Sequence, residues 1–241
     1  MKVVFVGPSL PAIGEISLPA DIEVRGPAAQ GDLLRATLEG ACVIGLVDGT
    51  FGTNGSTWHK EILHALSLGV RVIGAASMGA LRAAECATFG MIGVGEIYER
   101  YAAGELTDDD AVALIHAPER LGSIALSEPL VNVDATCRVL LGMALISDHE
   151  NAALLQAARG QFFQERTYAS VANAAAGIAV ERKQELELLL VSHQHNVKQA
   201  DALALMAAVV SAPDVRAAAP SWTFVETTAF KSIYDRIAGA S

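Results

Sequence analysis

The chain has 241 residues, of which 52% are hydrophobic and 18% are charged, and its formal net charge is −10. Scattered basic residues in an acidic chain argue against a nucleic-acid-binding surface, and no apolar stretch approaches the ~18 uninterrupted residues of a membrane helix. The first residues begin a strand and lack the succession of segments of a secretory signal, so we expect a cytoplasmic protein. Cys42, Cys86 and Cys137 lie in apolar surroundings and indicate buried thiols in a reducing compartment. No ligand spacing predicts a metal, and nothing in the sequence predicts another cofactor.

Short apolar runs alternate with helical patterns in the first third of the chain. This alternation predicts an α/β fold with a small, mainly parallel central sheet that is flanked by helices. The predicted strands are residues 3–7, Ile22–Arg25, Cys42–Val47 and Val70–Ile73. Asp32 is expected to cap a helix over residues 33–38, and Thr57 is expected to cap a helix from Trp58 to about Leu68, which ends at Gly69.

The remainder of the chain is predicted to be mostly helical. Glycines at positions 90, 93 and 95 predict a mobile connection to a short helix at Glu96–Tyr101. The other predicted helices are Met78 to about Thr88, Ala111–His116, Leu130–Ile146, the whole of 149–210, and Thr223–Ile237. We therefore expect residues 1–146 to form the α/β core and residues 147–241 to form a helical C-terminal region packed on it. The apolar helices of the last third suit either this packing or a homo-oligomer interface.

Ser77 lies where a β-branched apolar run gives way to helix-forming residues. Small residues flank it, and the pattern Ala75-x-Ser77-x-Gly79 is that of a nucleophile elbow with alanine in the first glycine position. A helix that begins at Met78 would direct the backbone N–H groups of Met78 and Gly79 at an oxyanion formed beside the hydroxyl. The alternative is that Ser77 is an N-cap, the commonest role of a serine in this position.

Lys60 is the candidate base for this serine. In a parallel α/β sheet the carboxyl end of each strand and the N-terminus of the following helix lie at one edge. Asp48, Lys60 and Ser77 should therefore converge at that edge. Asp48 would either orient Lys60 or form a turn with Gly49, and both interpretations stay open.

A lysine must be neutral to act as a base, which requires a pKa lowered by burial or by a positive neighbour. Arg82, one turn into the helix after the serine, or Arg25 would supply that positive charge. Glu85 is expected to pair with Arg82 on the helix surface. The rival bases are His59 and His64.

Six blocks of sequence follow one another in a characteristic order. They are Gly26–Asp32, Val47–Gly49, Trp58–Leu63, Gly74–Glu85, Phe89–Gly95 and Leu126–Asn132. Together these blocks resemble the TfuA-like family, over roughly residues 1–145, and several long blocks in one order are far more specific than a lone serine motif.

The resemblance implies a role in sulfur supply. TfuA-like proteins are partners of YcaO enzymes, which use ATP to activate a peptide amide so that sulfur replaces its oxygen. The family hydrolyses the thiocarboxylated C-terminus of a ThiS-like carrier protein and helps the YcaO enzyme to engage its peptide substrate. A serine and a lysine perform the hydrolysis, and the matching motif positions here are Ser77 and Lys60.

Two other functions stay open. One is a non-catalytic adaptor that binds a YcaO enzyme and promotes engagement of its peptide. The other is an anion-binding α/β domain that uses the helix N-terminus at Ser77 for a phosphate group.

Overall fold

The computed structural model describes residues 1–50, 55–117 and 124–239. Within these residues the strands form one sheet of five parallel strands, which confirms the predicted α/β class. The strands are β1 (Lys2–Phe5), β2 (Ile22–Arg25), β3 (Val43–Leu46), β4 (Arg71–Ala75) and β5 (Ile92–Val94). Their order across the sheet is β2-β1-β3-β4-β5.

Helices connect the strands and make up most of the later part of the chain. They are α1 (Asp32–Leu38), α2 (His59–Ser67), α3 (Met78–Cys86), α4 (Glu96–Ala102), α5 (Leu130–Gly142), α6 (Asp148–Arg159), α7 (Tyr168–Ala174), α8 (Val180–Ser192), α9 (Val197–Ser211) and α10 (Thr228–Ala238). None of the described helices combines the length and the apolar character needed to span a membrane.

The central strands bury side chains on both faces of the sheet. Val3 and Val72 belong to a core that also contains buried residues of α1, α2 and α3. Their neighbours Val4 and Ile73 belong to a second core with buried residues of α9. Because successive side chains point to opposite faces and both faces are covered, these strands appear in the sequence as continuous apolar runs.

By its internal contacts the chain forms two compact units. The first comprises residues 1–106 and 199–241 and contains the sheet. The second comprises residues 107–198, in which α5 to α8 surround a core of their own. The domain boundary expected at residue 146 stays a prediction.

The strand β5 lies where the sequence analysis predicted a mobile connection, so that prediction is wrong. Ile92–Val94 pairs in parallel with β4. A Cβ at Gly93 would overlap the ring of Tyr98, so the glycine allows α4 to pack closely on this strand. Three residues that include a glycine give too short an apolar pattern to indicate a strand.

Two helix caps also differ from prediction. Trp58, not Thr57, is the N-cap of α2. Gly31, in the left-handed conformation with φ 99°, is the N-cap of α1, and Asp32 is the first residue of that helix. In α2 the side chain that satisfies the free backbone N–H comes from inside the helix, because Glu61 accepts a hydrogen bond from Trp58 N.

The helical second half is more divided than its apolar periodicity indicates. The predicted helix at 111–116 is limited to a 3₁₀ turn, Asp109–Ala111. The pattern over 149–210 is broken into α6, α7, α8 and α9. The last helix begins at Thr228, five residues later than predicted, with Thr227 as its N-cap.

An irregular segment, residues 212–227, joins α9 to α10 and is called the C-terminal strap below. Ala217 N donates a hydrogen bond of 2.7 Å to the carbonyl of Gly69. Gly69 has φ 77°, and a Cβ there would overlap the Ala217 carbonyl oxygen, so only glycine allows this approach. Further along, the indole of Trp222 donates to the carbonyl of Phe89 over 3.2 Å. The strap is therefore fixed to the sheet unit at several points.

Candidate active site

Ser77 lies in a tight turn between β4 and α3. The preceding residue, Ala76, has φ 65°, a conformation that costs a non-glycine residue roughly 1–2 kcal/mol. Ser77 N donates to the carbonyl of Ala75 over 2.8 Å, which closes the turn. Ser77 occupies the N-cap position of α3 but its side chain makes no capping hydrogen bond, and only 2% of the residue is exposed. The hydroxyl therefore does not perform the usual task of a serine at a helix start.

Two glycines hold this turn against the sheet. A Cβ at Gly79 would overlap the carbonyl oxygen of Leu46, and a Cβ at Gly74 would overlap the carbonyl oxygen of Gly79. The first turn of α3 thus lies directly on the ends of β3 and β4. Gly79 N also donates to the carbonyl of Val47 over 3.1 Å. Of the two amides predicted to face an oxyanion, those of Met78 and Gly79, the second is engaged with the neighbouring strand end.

Asp48 is buried and binds the loop that follows β1. Its carboxylate accepts hydrogen bonds from Gly7 N (2.8 Å), Ser9 N (3.0 Å) and Ser9 Oγ (2.7 Å). Neither interpretation offered by the sequence describes this role, because the partners lie 41 and 39 residues away in the chain. The carboxylate fixes the point where the strand order reverses between β1 and β3, the usual place for ligands in such sheets.

The loops after β2 and β3 meet beside the serine turn. Ala28 N donates to the carbonyl of Asp48 over 2.9 Å, and Ala28 pairs with Gly49 in a short parallel bridge. A Cβ at Gly49 would lie 2.9 Å from Cγ of Met78. Three of the sequence blocks, around residues 28, 49 and 78, are therefore in contact at the carboxyl edge of the sheet.

Lys60 lies in the first turn of α2. Its Nζ donates a hydrogen bond of 2.8 Å to the carbonyl of Val225 and lies 5.1 Å from the centroid of the Phe224 ring. Both partners belong to the C-terminal strap, 165 residues away in the chain for Val225. The pairing of Lys60 with Ser77 stays a prediction, and in this structure the ammonium group is bound to the strap.

Arg82 links the start of α2 to α3. Its Nε donates to the carbonyl of Thr57 over 3.1 Å, and its Nη1 donates to Glu85 over 2.6 Å, which confirms the predicted pair. The same carboxylate oxygen lies 2.8 Å from Nε2 of His59. Arg82 thus brings a positive charge to the loop just before α2, and His59 is a partner of Glu85.

Arg25 is poorly placed to supply the positive charge that was expected near Lys60. It forms ion pairs with Glu23 and Glu39, which offset its charge. Its strand, β2, is separated from β4 by β1 and β3, a distance of about 14 Å at the usual strand spacing.

His64, the other rival base, is enclosed by aromatic rings. The ring centroids of Phe224, Phe230 and Tyr234 lie 5.2–5.8 Å from that of His64. Burial lowers the pKa of the His64 imidazole, and its Nε2 has no hydrogen-bond partner within the described residues. The side chain joins α2 to the strap and α10 and is a packing element.

Glu61 is a residue whose importance the sequence analysis missed. It is fully buried, and its carboxylate accepts from Gly31 N (2.8 Å), Leu34 N (3.4 Å) and Trp58 N (3.3 Å). Burial raises the pKa of this carboxyl, and the three backbone hydrogen bonds partly offset that effect. Glu61 thereby holds the N-termini of α1 and α2 together. A glutamate at the third helical position was the available signal, since it marks half of a capping box.

The described residues contain no group of three His, Cys, Asp or Glu side chains arranged to bind a metal ion. The cysteines are unpaired, Cys86 and Cys137 being buried and Cys42 half-buried. Burial raises the pKa of the Cys86 thiol to about 11, which makes it a poor nucleophile.

Comparison with known proteins supports one family. No curated protein matches this sequence. A family model described as TfuA-like protein matches residues 48–167, about half of the chain. The matched stretch contains Asp48, Lys60, the Ser77 turn and the block Leu126–Asn132. The match agrees with the ordered sequence blocks, and the chain belongs to the TfuA-like family.

Proposed function

We propose that this protein hydrolyses the thiocarboxylated C-terminus of a ThiS-like sulfur carrier and supplies the released sulfide to a YcaO enzyme for peptide thioamidation. The observation that carries the proposal is the Ser77 turn. A serine hydroxyl that does not cap its helix, held on a strained turn at the carboxyl edge of a parallel sheet, is a suitable nucleophile for an acyl group.

The proposed reaction has two steps. Ser77 Oγ attacks the thiocarboxylate carbonyl carbon while its proton passes to a base, and the C–S bond then breaks to release sulfide. Water next cleaves the acyl-serine ester, which leaves an ordinary carboxylate on the carrier and restores the hydroxyl. Met78 N–H is the proposed oxyanion donor, and loss of one such donor typically costs ~100-fold or more in rate.

Lys60 is the proposed base, and its present hydrogen bond sets a condition on the mechanism. The ammonium must leave the carbonyl of Val225 and lose a proton before it can accept one from Ser77. Arg82, whose Nε donates to the carbonyl of Thr57, lies beside the start of α2 and would hold this loop in place while Lys60 moves. We therefore propose that the base becomes available when the carrier or the YcaO partner engages this edge.

Sulfide release from a thiocarboxylated ThiS-like protein tests the proposal. The full chain is compared with Ser77→Ala and Lys60→Met, and with Ser67→Ala as a matched control. The Ser67 hydroxyl donates to the carbonyl of His64 at the end of α2, away from the serine turn. We expect release by the wild type and by Ser67→Ala, and loss of at least ~100-fold in both site variants. Folded wild-type protein that leaves the thiocarboxylate intact would contradict the proposal.

The hydrogen bond between Lys60 and Val225 favours a second candidate, an adaptor that binds the YcaO enzyme and its peptide without hydrolysis. In that case the lysine stabilises the strap and Ser77 is part of the fold. The adaptor function predicts that Ser77→Ala still binds the YcaO enzyme and forms thioamides as well as the wild type does, whether the sulfur comes from the thiocarboxylated carrier or from added sulfide. Hydrolysis predicts that added sulfide restores thioamide formation in this variant, and that thioamides do not form without it.

A further inference from the structure

Thr57 carries a buried hydroxyl that the fold does not use. The residue is completely buried, and its Oγ1 has no hydrogen-bond partner within the described residues. A threonine just before a helix usually caps it, but here Trp58 is the N-cap of α2, and Glu61 accepts the hydrogen bond from Trp58 N. An unpaired polar group in a protein interior is costly, and native structures contain few of them. A valine would fill the same space without that cost, so the hydroxyl indicates a function.

Thr57 lies at the edge of the sheet that holds the serine turn. Its carbonyl accepts the hydrogen bond from Arg82 Nε. Arg82 follows Ser77 by five residues, which is about 7.5 Å along the axis of α3. The preceding residue, Ser56, pairs with Ala29 in an antiparallel bridge to the loop after β2. The main chain around the hydroxyl is therefore fixed both to α3 and to a loop that meets the serine turn.

The N-terminus of α2 provides two more donors close in the chain to this hydroxyl. The first N–H groups of a helix have no partner inside the helix. In α2, which has nine residues, the amides of His59 and Lys60 have none elsewhere in the part of the chain that the structure describes. The positive end of the helix dipole favours a negatively charged ligand at this place. Two free amides and one free hydroxyl thus lie within four consecutive residues.

We propose that Thr57 binds the terminal carboxylate or thiocarboxylate of the carrier protein, together with the amides of His59 and Lys60. These groups donate hydrogen bonds, and a single negative charge spread over two atoms is a matching acceptor. The inference rests on the proposed function, because it names the residues that hold the substrate beside Ser77. Ser77 is nearly as buried, with 2% exposed, so the carrier reaches both hydroxyls only when this edge opens.

Thr57→Val separates this role from a structural one. Because the buried hydroxyl has no partner in the fold, its removal should leave the melting temperature unchanged or raise it. Thr37→Val is the matched control. Thr37 is also buried, but its Oγ1 donates to the carbonyl of Leu33 over 2.7 Å, so this variant should melt at a lower temperature. Equal losses in the two variants would show that the Thr57 hydroxyl is satisfied within the fold, and would overturn the proposal.

Binding of the carrier provides the second measurement. The probe is the ThiS-like carrier with an ordinary C-terminal carboxylate, titrated calorimetrically into the full chain. Thr57→Val should bind it at least about tenfold more weakly than the wild type, since a hydrogen bond to a charged group is lost. Thr57→Ser restores a hydroxyl and should bind within about threefold of the wild type. Equal affinities of wild type and Thr57→Val, or no binding by the wild type, would overturn the proposal.

A carrier that ends in a carboxamide tests whether the ligand is the terminal charge. It should bind the wild type more weakly than the carboxylate carrier does, and the difference between wild type and Thr57→Val should shrink. An amide carrier that binds as tightly as the carboxylate carrier would show that the contact lies elsewhere on the partner.

These measurements distinguish failure of this inference from failure of the proposed function. Binding of the carboxylate carrier requires no hydrolysis and is measured equally well in Ser77→Ala. Binding that depends on Thr57, without sulfide release by the wild type, would leave the carboxylate site in place and contradict hydrolysis. Sulfide release with the same kcat/KM in wild type and Thr57→Val would leave hydrolysis in place and overturn the role of Thr57.

Discussion

The ammonium of Lys60 donates a hydrogen bond to the carbonyl of Val225 over 2.8 Å, a contact between the first turn of α2 and the C-terminal strap. The ring of Phe224 lies beside it, 5.1 Å from Nζ to the ring centroid. Both interactions hold the lysine side chain against the strap. The strap therefore competes with the proposed role of this residue as a neutral base.

Weakening this contact should raise hydrolysis. Phe224→Ala removes the cation–π contact, which is worth about 0.5–1 kcal/mol at an exposed site, so sulfide release should increase about two- to fivefold. Val225→Ala is the control, because it trims an exposed side chain and retains the carbonyl that binds Lys60. The rates are compared well below the unfolding temperatures of both variants. An unchanged or lower rate in Phe224→Ala would show that the strap does not restrain the lysine.

Gly79→Ala should destabilise the sheet unit by about 1–3 kcal/mol, because its Cβ would overlap the Leu46 carbonyl and displace the first turn of α3. Gly142→Ala provides the contrast. Gly142 ends α5, and a Cβ there would meet no atom within 4 Å, so that variant should be neutral or slightly stabilised. Urea unfolding of both variants measures the difference, and equal effects would contradict the close approach of α3 to β3.

Glu150 should make the second unit sensitive to acid. Its hydrogen bond with Arg182, 2.6 Å from Nε, lowers the pKa of the carboxyl from its ordinary 4.5 to about 2. A depressed pKa contributes stability above pH 4.5 that is lost as pH falls towards 2. Glu150→Gln should cost about 2 kcal/mol at neutral pH and reduce this acid dependence.

Glu185→Gln is the control for that experiment. Glu185 binds the same Arg182 over 2.9 Å, but 64% of its side chain is exposed, so its removal should cost less than about 1 kcal/mol. Thermal unfolding at several pH values compares the two variants. Similar losses would show that the ion pair with Glu150 has no special weight.

His64 should make the packing of α10 depend on pH. Its pKa is lowered by burial among aromatic rings, so the folded state disfavours the charged ring. The resulting stability is present above the ordinary value of 6.5 and falls as pH decreases below it. Amide hydrogen exchange in α10, corrected for the intrinsic pH dependence of exchange, should show less protection at pH 5 than at pH 7.

His64→Phe should abolish that difference, since phenylalanine retains an aromatic ring and does not titrate. It also replaces the Nε2 atom that lacks a hydrogen-bond partner within the described residues. A variant with the same change in protection as the wild type would place the titrating group elsewhere.

Much of the fold follows from local patterns. Runs such as Val43–Leu46 are buried on both faces of a parallel sheet and therefore appear as uninterrupted apolar segments. β5 was missed because Ile92–Val94 is short and contains Gly93, whose value lies in its contact with Tyr98. Local pattern indicates a strand only when the strand is long enough to show a period.

The residues of the candidate site also divide into those whose contacts are local in the sequence and those whose contacts depend on distant segments. The position of Ser77 between β4 and α3 follows from neighbouring residues, as does the pairing of Arg82 with Glu85. The partners of Asp48 and Lys60 could not be inferred, because they come from distant loops whose approach depends on the whole fold. Glu61 belongs to both groups, since its bond to Trp58 is local and its bond to Gly31 is not.

The contacts that hold the serine turn are made largely by main-chain atoms. Gly79 N binds the Val47 carbonyl, and Gly79 lies directly on the carbonyl of Leu46. Such contacts do not depend on which apolar side chains fill the layer beneath, as long as the two glycines remain. Side chains in that layer can therefore diverge between homologues, or be replaced in an engineered variant, and alter melting temperature before they move the Ser77 hydroxyl.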